Sequence, residues 1–84
     1  MTIRYQLHHP ERGDEIQTVD LPTFDDFRKW LGEMGVGGAN PSKEIIEGWK
    51  DVYLRLGRPN FNETNFAIAS WKRPGVLAIL GRDE

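Results

Sequence analysis

Apolar residues recur along this chain at two periods, and the period changes only twice. Residues 2–9 alternate, with Ile3, Tyr5 and Leu7 on one side and Arg4, Gln6 and His8 on the other. β-Branched and aromatic residues at period two indicate a half-buried strand. Pro10-Glu11-Arg12-Gly13-Asp14 then reads as a turn in which Gly13 supplies a positive φ. Residues 15–21 read as a second strand, with Ile16 on the face opposite Val19 and Leu21. That break in alternation implies either a bulge near Gln17-Thr18 or a short strand. The two strands make a hairpin.

The period then becomes helical. Phe24, Phe27, Trp30, Leu31 and Met34 fall on one face, which predicts a helix from about residue 24 to 34. Thr23 is a good N-cap, Asp25 and Asp26 complement the positive end of the helix dipole, and Gly35 suits the C′ position. Residues 35–39 form a glycine-rich connector. Asn40 is expected to cap a second helix with Pro41 at its first position. There Ile45, Ile46, Trp49, Val52, Tyr53 and Leu56 form the apolar stripe, while Glu47–Lys50 and Asp51–Arg55 are favourable surface pairs. Gly57 ends this helix and Pro59 prevents its resumption. A polar loop over residues 58–65, with Phe61 at its centre, leads to two more strands at 66–71 and 76–80. Lys72-Arg73-Pro74-Gly75 turns between them. Both strands are apolar on each face, which suggests that one or both lie centrally.

The order is therefore ββααββ. It implies an α+β domain, a four-stranded, mainly antiparallel sheet with two helices packed on one face. With 84 residues the chain is one domain. The predicted core is Ile3, Tyr5, Leu7, Val19, Phe27, Trp30, Leu31, Ile46, Trp49, Val52, Tyr53, Ile68 and Ile79, with at least one of the three Trp partly exposed. There is no cysteine, which excludes disulfides, thiolate metal sites and a catalytic thiol. The longest apolar run is the five residues Val76–Leu80, far short of a membrane span. Met1 leads straight into the first strand, so no signal peptide is expected and the expected setting is the cytoplasm.

Net charge is −2, which argues against a general nucleic-acid binder. The total hides a segregation. Residues 11–26 hold Glu11, Asp14, Glu15, Asp20, Asp25 and Asp26 against Arg12, a net of −5. Residues 50–82 hold Lys50, Arg55, Arg58, Lys72, Arg73 and Arg82 against Asp51 and Glu63, a net of +4. The acidic stretch is either a solvated face or a surface that docks on a basic partner, where fixed carboxylates can take the place of nucleic-acid phosphates. Trp71-Lys72-Arg73 with Arg58 offers an alternative binding tip, since cations and aromatics can neutralise phosphates and stack on bases. The bland reading of that tip is a solvated turn with a core Trp.

Other constellations point to structure. His8 and His9 are strand neighbours on opposite faces, so they do not readily share a metal even with Glu11 and Asp14 nearby. Gly32, Gly35, Gly37 and Gly38 follow a helix, whereas a phosphate loop needs a strand leading in. Asn62-Glu63-Thr64 matches a glycosylation acceptor by chance in a chain without a leader. Asp25 and Asp26 diverge by about 100° on a helix, at the end where the dipole favours a fixed negative charge, which does not suit acid–base catalysis. No serine or cysteine nucleophile stands at a recognisable spacing. No catalytic residue, metal or cofactor is expected.

A single short acidic domain without cysteine, with a strand leading into Asp20-Leu21-Pro22-Thr23-Phe24-Asp25-Asp26-Phe27 and an aromatic helix bearing Trp30, resembles small phage-encoded inhibitor proteins of the anti-CRISPR type. The resemblance is one of general build and transfers no site residue. It implies a stoichiometric binder, in the cytoplasm of a bacterial host, that blocks a nucleic-acid-guided nuclease complex at a basic DNA-binding surface. The expected function is thus a non-enzymatic protein-binding domain, an inhibitor of a larger basic protein or ribonucleoprotein complex, itself a monomer or weak homodimer. The alternatives are a weak nucleic-acid-binding domain or an assembly component using the basic–aromatic tip.

Overall fold

A computed structural model of the chain describes residues 1–10, 13–38, 40–68 and 74–83. The order of elements is β1 (Thr2–His9), β2 (Gly13–Asp20), α1 (Phe24–Glu33), α2 (Lys43–Arg55), β3 (Thr64–Ile68) and β4 (Gly75–Arg82). All strand pairs are antiparallel, in the spatial order β2-β1-β4-β3. The first and last strands of the chain are therefore the central pair. This is the expected α+β arrangement in the order ββααββ.

Alternation decides the two faces. Ile3 and Tyr5 of β1 and Leu77 and Ile79 of β4 are buried against Phe27, Trp30 and Leu31 of α1 and Trp49 and Val52 of α2. Tyr5 and Trp30 meet edge to face with ring centroids 4.9 Å apart. Residues on the other side of the sheet, Arg4, His8, Asp14, Ile16, Thr18 and Val76 among them, stay exposed. Burial at the core differs in detail from the sequence reading. Leu7, Val19, Ile46 and Tyr53 are only partly buried, while Leu21, Val36, Leu56 and Leu77 join the core. Trp30 and Trp49 are both buried, and Trp71 lies outside the described residues.

Boundaries move at β2, α2, β3 and β4, the last running over Gly75–Arg82 where 76–80 was expected. β2 is unbroken from Gly13 to Asp20, with no bulge near Gln17-Thr18, and Ile16 simply faces the open side of the sheet at 54% exposure. The irregularity lies elsewhere. Arg4 pairs with Gly81 but Tyr5 with Ile79, so Leu80 is an extra residue in β4. Gly81 takes φ +136 there, and the Phe61 ring lies over it, 3.6 Å from where a Cβ would be. α2 begins at Lys43, not at Pro41, because the Ser42 hydroxyl, on extended backbone, accepts from the Ile45 N–H at 3.3 Å and so is the cap in place of Asn40. β3 starts at Thr64, inside the expected loop, because Thr64 pairs with Ile79. Of the two apolar strands β4 is central and β3 is an edge. Among the described residues, no helix is long and apolar enough to cross a membrane.

Candidate binding surface

Asp14, Glu15 and Asp20 lie on β2, and Asp25 and Asp26 in the first turn of α1. Asp14 pairs with His8 across the β1–β2 ladder and its carboxylate contacts the His8 Nδ1. Glu15 projects to the helix side, where its carboxylate accepts a hydrogen bond from the Gln17 amide. The Gln17 oxygen in turn accepts from the Tyr5 hydroxyl at 3.1 Å. Burial, then the Glu15 charge, pushes the Tyr5 hydroxyl above its usual pKa. Asp20 lies 3.3 Å from the Met1 ammonium and accepts from the Thr2 hydroxyl.

Asp26 closes a capping box. Its carboxylate accepts from the Thr23 N–H at 3.2 Å and from the Thr23 hydroxyl at 2.8 Å, while its own N–H donates back to that hydroxyl. Asp25 is exposed beside it. Glu11 lies outside the described residues. Asp20, Asp26 and Glu33 line one shallow open groove of about 360 Å³ between β2 and α1, with Lys29 on its wall and Trp30 among its apolar lining. The Tyr53 hydroxyl donates to the Leu21 carbonyl at 3.0 Å, and burial, followed by Asp26 and Asp20, raises its pKa.

Arg58 and Arg82 lie elsewhere, although Arg4 on β1 and Arg28 and Lys29 on α1 stand beside the acidic residues. Arg58, just past α2, lines an open groove of about 540 Å³ with Arg82, Phe61 and Gly81. Arg82 approaches Gly57 closely, its guanidinium 3.7 Å from where a Cβ on that residue would be. Arg58 thus sits at the Arg82 end of β4, about 23 Å of strand from Gly75. Trp71, Lys72 and Arg73 lie outside the described residues, so the structure groups Arg58 with Arg82 and Phe61. The expected helix pair Asp51–Arg55 forms, with 3.1 Å between the charged groups.

What sequence reasoning missed is that Asp14, Asp20 and Asp26 each have a partner in their own chain. The capping partner was readable from Thr23 and Asp26 three residues apart. The His8–Asp14 pair follows only once the hairpin register is fixed. Among the described residues no group of three or more His, Asp or Glu could hold a metal ion. The glycine connector serves close packing: Gly35, Gly37 and Gly38 all take positive φ, and Gly37 lies against the Trp49 ring. Compared with known proteins, the chain matches no family model, no curated protein and no solved structure at a significant level.

Proposed function

We propose that this chain is a non-enzymatic binding domain. It docks through its β2–α1 side on the basic surface of a larger nucleic-acid-handling protein or ribonucleoprotein and inhibits it stoichiometrically, in the manner of anti-CRISPR proteins. One observation carries the reading. Asp20 and Asp26 line one groove between β2 and α1, with Asp14 and Glu15 farther along the β2 edge, while Arg58 and Arg82 line a separate groove at the ends of α2 and β4. The internal partners do not remove the field. The Asp14 and Asp20 side chains remain 52% and 67% exposed, so each carboxylate still faces solvent. Such a surface speeds encounter with a basic partner and competes for sites built for phosphates.

The test combines Asp14→Lys, Glu15→Lys, Asp20→Lys and Asp25→Lys, leaving the Asp26 cap intact. The wild-type domain is expected to retain from source-cell lysate a basic nucleic-acid-binding protein that excess duplex DNA displaces. The quadruple variant, shown folded by circular dichroism, is expected to retain none. Equal retention by both proteins, with equal salt dependence, would overturn the reading. A second reading rests on Arg58, Arg82 and Phe61 lining one groove: direct, weak binding of single-stranded nucleic acid. Binding of an oligonucleotide at low salt that Arg58→Ala abolishes would favour it.

A further inference from the structure

The two edges of the sheet are unlike. β3 is an edge of five residues, the usual short form that discourages pairing with another chain. β2 is an edge of eight residues with an unbroken register, no proline and no lysine or arginine. Among the described residues none of the common devices that blunt an exposed edge is present except charge, and that charge is all negative: Asp14, Glu15 and Asp20.

The hydrogen-bond phase of this edge can be read from one bond. The Leu21 N–H donates to the Met1 carbonyl at 2.7 Å, in register with the Ile3–Val19, Tyr5–Gln17 and Leu7–Glu15 pairs. In an antiparallel ladder hydrogen-bonded and non-bonded pairs alternate. The odd-numbered residues of β2 therefore bond to β1. Asp14, Ile16, Thr18 and Asp20 turn their N–H and C=O groups outward, to the edge. The same four residues put their side chains on the open face of the sheet, which no helix covers. Backbone bonding groups, two flanking carboxylates and an exposed Ile16 thus share one outward-facing row.

We infer that β2 accepts an extended basic segment of the partner as a fifth, antiparallel strand. This rests on the acidic-docking reading and specifies how the contact is made. Backbone bonds supply the register and side chains at every second position supply the choice of sequence. A residue opposite Asp20 and one six positions later, opposite Asp14, are Lys or Arg. Those between them, opposite Thr18 and Ile16, are β-branched. On the other face a cation falls opposite Glu15. A second copy of this chain is disfavoured as the occupant, because two β2 strands would bring three carboxylates each to one seam with no base between them.

The probe is a synthetic peptide, Lys-Val-Thr-Thr-Ile-Lys-Lys, capped at both ends. Binding is followed by amide hydrogen exchange of the domain and by titration. Exchange at Ile16 and Thr18 is expected to slow, while the odd-numbered amides of β2, already bonded to β1, change little. Ile16→Pro removes an outward N–H without touching charge or the β1 ladder, and is expected to weaken binding about tenfold or more. N-Methylating the peptide at the residues facing Ile16 and Thr18 is expected to do the same, and it leaves the domain unaltered. Failure of the peptide to bind at low salt would overturn strand addition. So would binding that leaves Ile16 and Thr18 exchange unchanged or that tolerates N-methylation. Slowed exchange that grows with protein concentration and needs no peptide would identify a second copy as the occupant and overturn the basic one. None of these results alters the outcome of the quadruple charge reversal, which decides the docking reading by itself.

Discussion

Gly37 is held at φ +79, and a Cβ there would lie 2.7 Å from Cζ2 of the buried Trp49 ring. Gly38 has almost the same backbone, φ +75, with nothing within 4 Å of its Cβ position. The pair separates two costs of replacing glycine. Gly38→Ala carries only the left-handed backbone penalty, about 1 kcal/mol. Gly37→Ala adds a clash with an indole that the core holds in place, and is expected to cost about 1–3 kcal/mol more. Urea unfolding of both variants checks this, and equal midpoints would contradict the close approach. Little of it was legible beforehand. The run Gly35-Val36-Gly37-Gly38 announced a turn, but which glycine meets the Trp49 ring depends on how α2 lies across the sheet. Asp26 shows the opposite case. Its carboxylate reads as part of an acidic cluster, yet local spacing to Thr23 was enough to assign it to a cap.

At the scale of elements, α1 depends on that cap more than on its length. It has ten residues, too few to be stable alone, and no basic residue in its last turn to complement the dipole. Thr23→Ala removes both hydroxyl bonds to Asp26, the one donated and the one accepted, and leaves only the Thr23 N–H bond to the Asp26 carboxylate. The expected loss is about 1–2 kcal/mol, read from thermal or urea unfolding. Helix existence and faces were legible, because apolar residues every three or four positions leave little choice. The start of α2 was not, because Asn40, Pro41 and Ser42 each suit a helix start, and only the reach of the Ser42 hydroxyl to Ile45 decides among them. The phase of β2 failed for another reason. Ile16 opposite Val19 and Leu21 suggests a bulge or a short strand, whereas it sits on the open face of an unbroken one.

The whole molecule is organised around the two central strands. Leu77 of β4 is fully buried, whereas Leu54 of α2 is 59% exposed on the side away from the sheet. Leu77→Ala is expected to cost about 2–5 kcal/mol and Leu54→Ala less than about 0.5 kcal/mol, measured by urea unfolding. Comparable losses at the two sites would mean that the core lies elsewhere. The order ββααββ was legible from the two changes of period. Strand order was only half legible: apolar runs on both faces suggested that β3, β4 or both are central, but only β4 is, and its partnership with β1 is a contact between opposite ends of the chain. The separation of acidic from basic stretches in sequence was plain, whereas the fold sets Lys29 in the groove that Asp20 and Asp26 line. That central seam has a further consequence. The Asp83 N–H donates to the Thr2 carbonyl at 2.9 Å, so joining β1 to β4 closes a loop of nearly the entire chain. On the ribosome β1 and β2 emerge first and can pair at once, while the inner side of β1 waits for the last strand to be made. Until β4 is made, β1 therefore keeps an additional bare edge, and the slow, long-range step of folding waits for that strand.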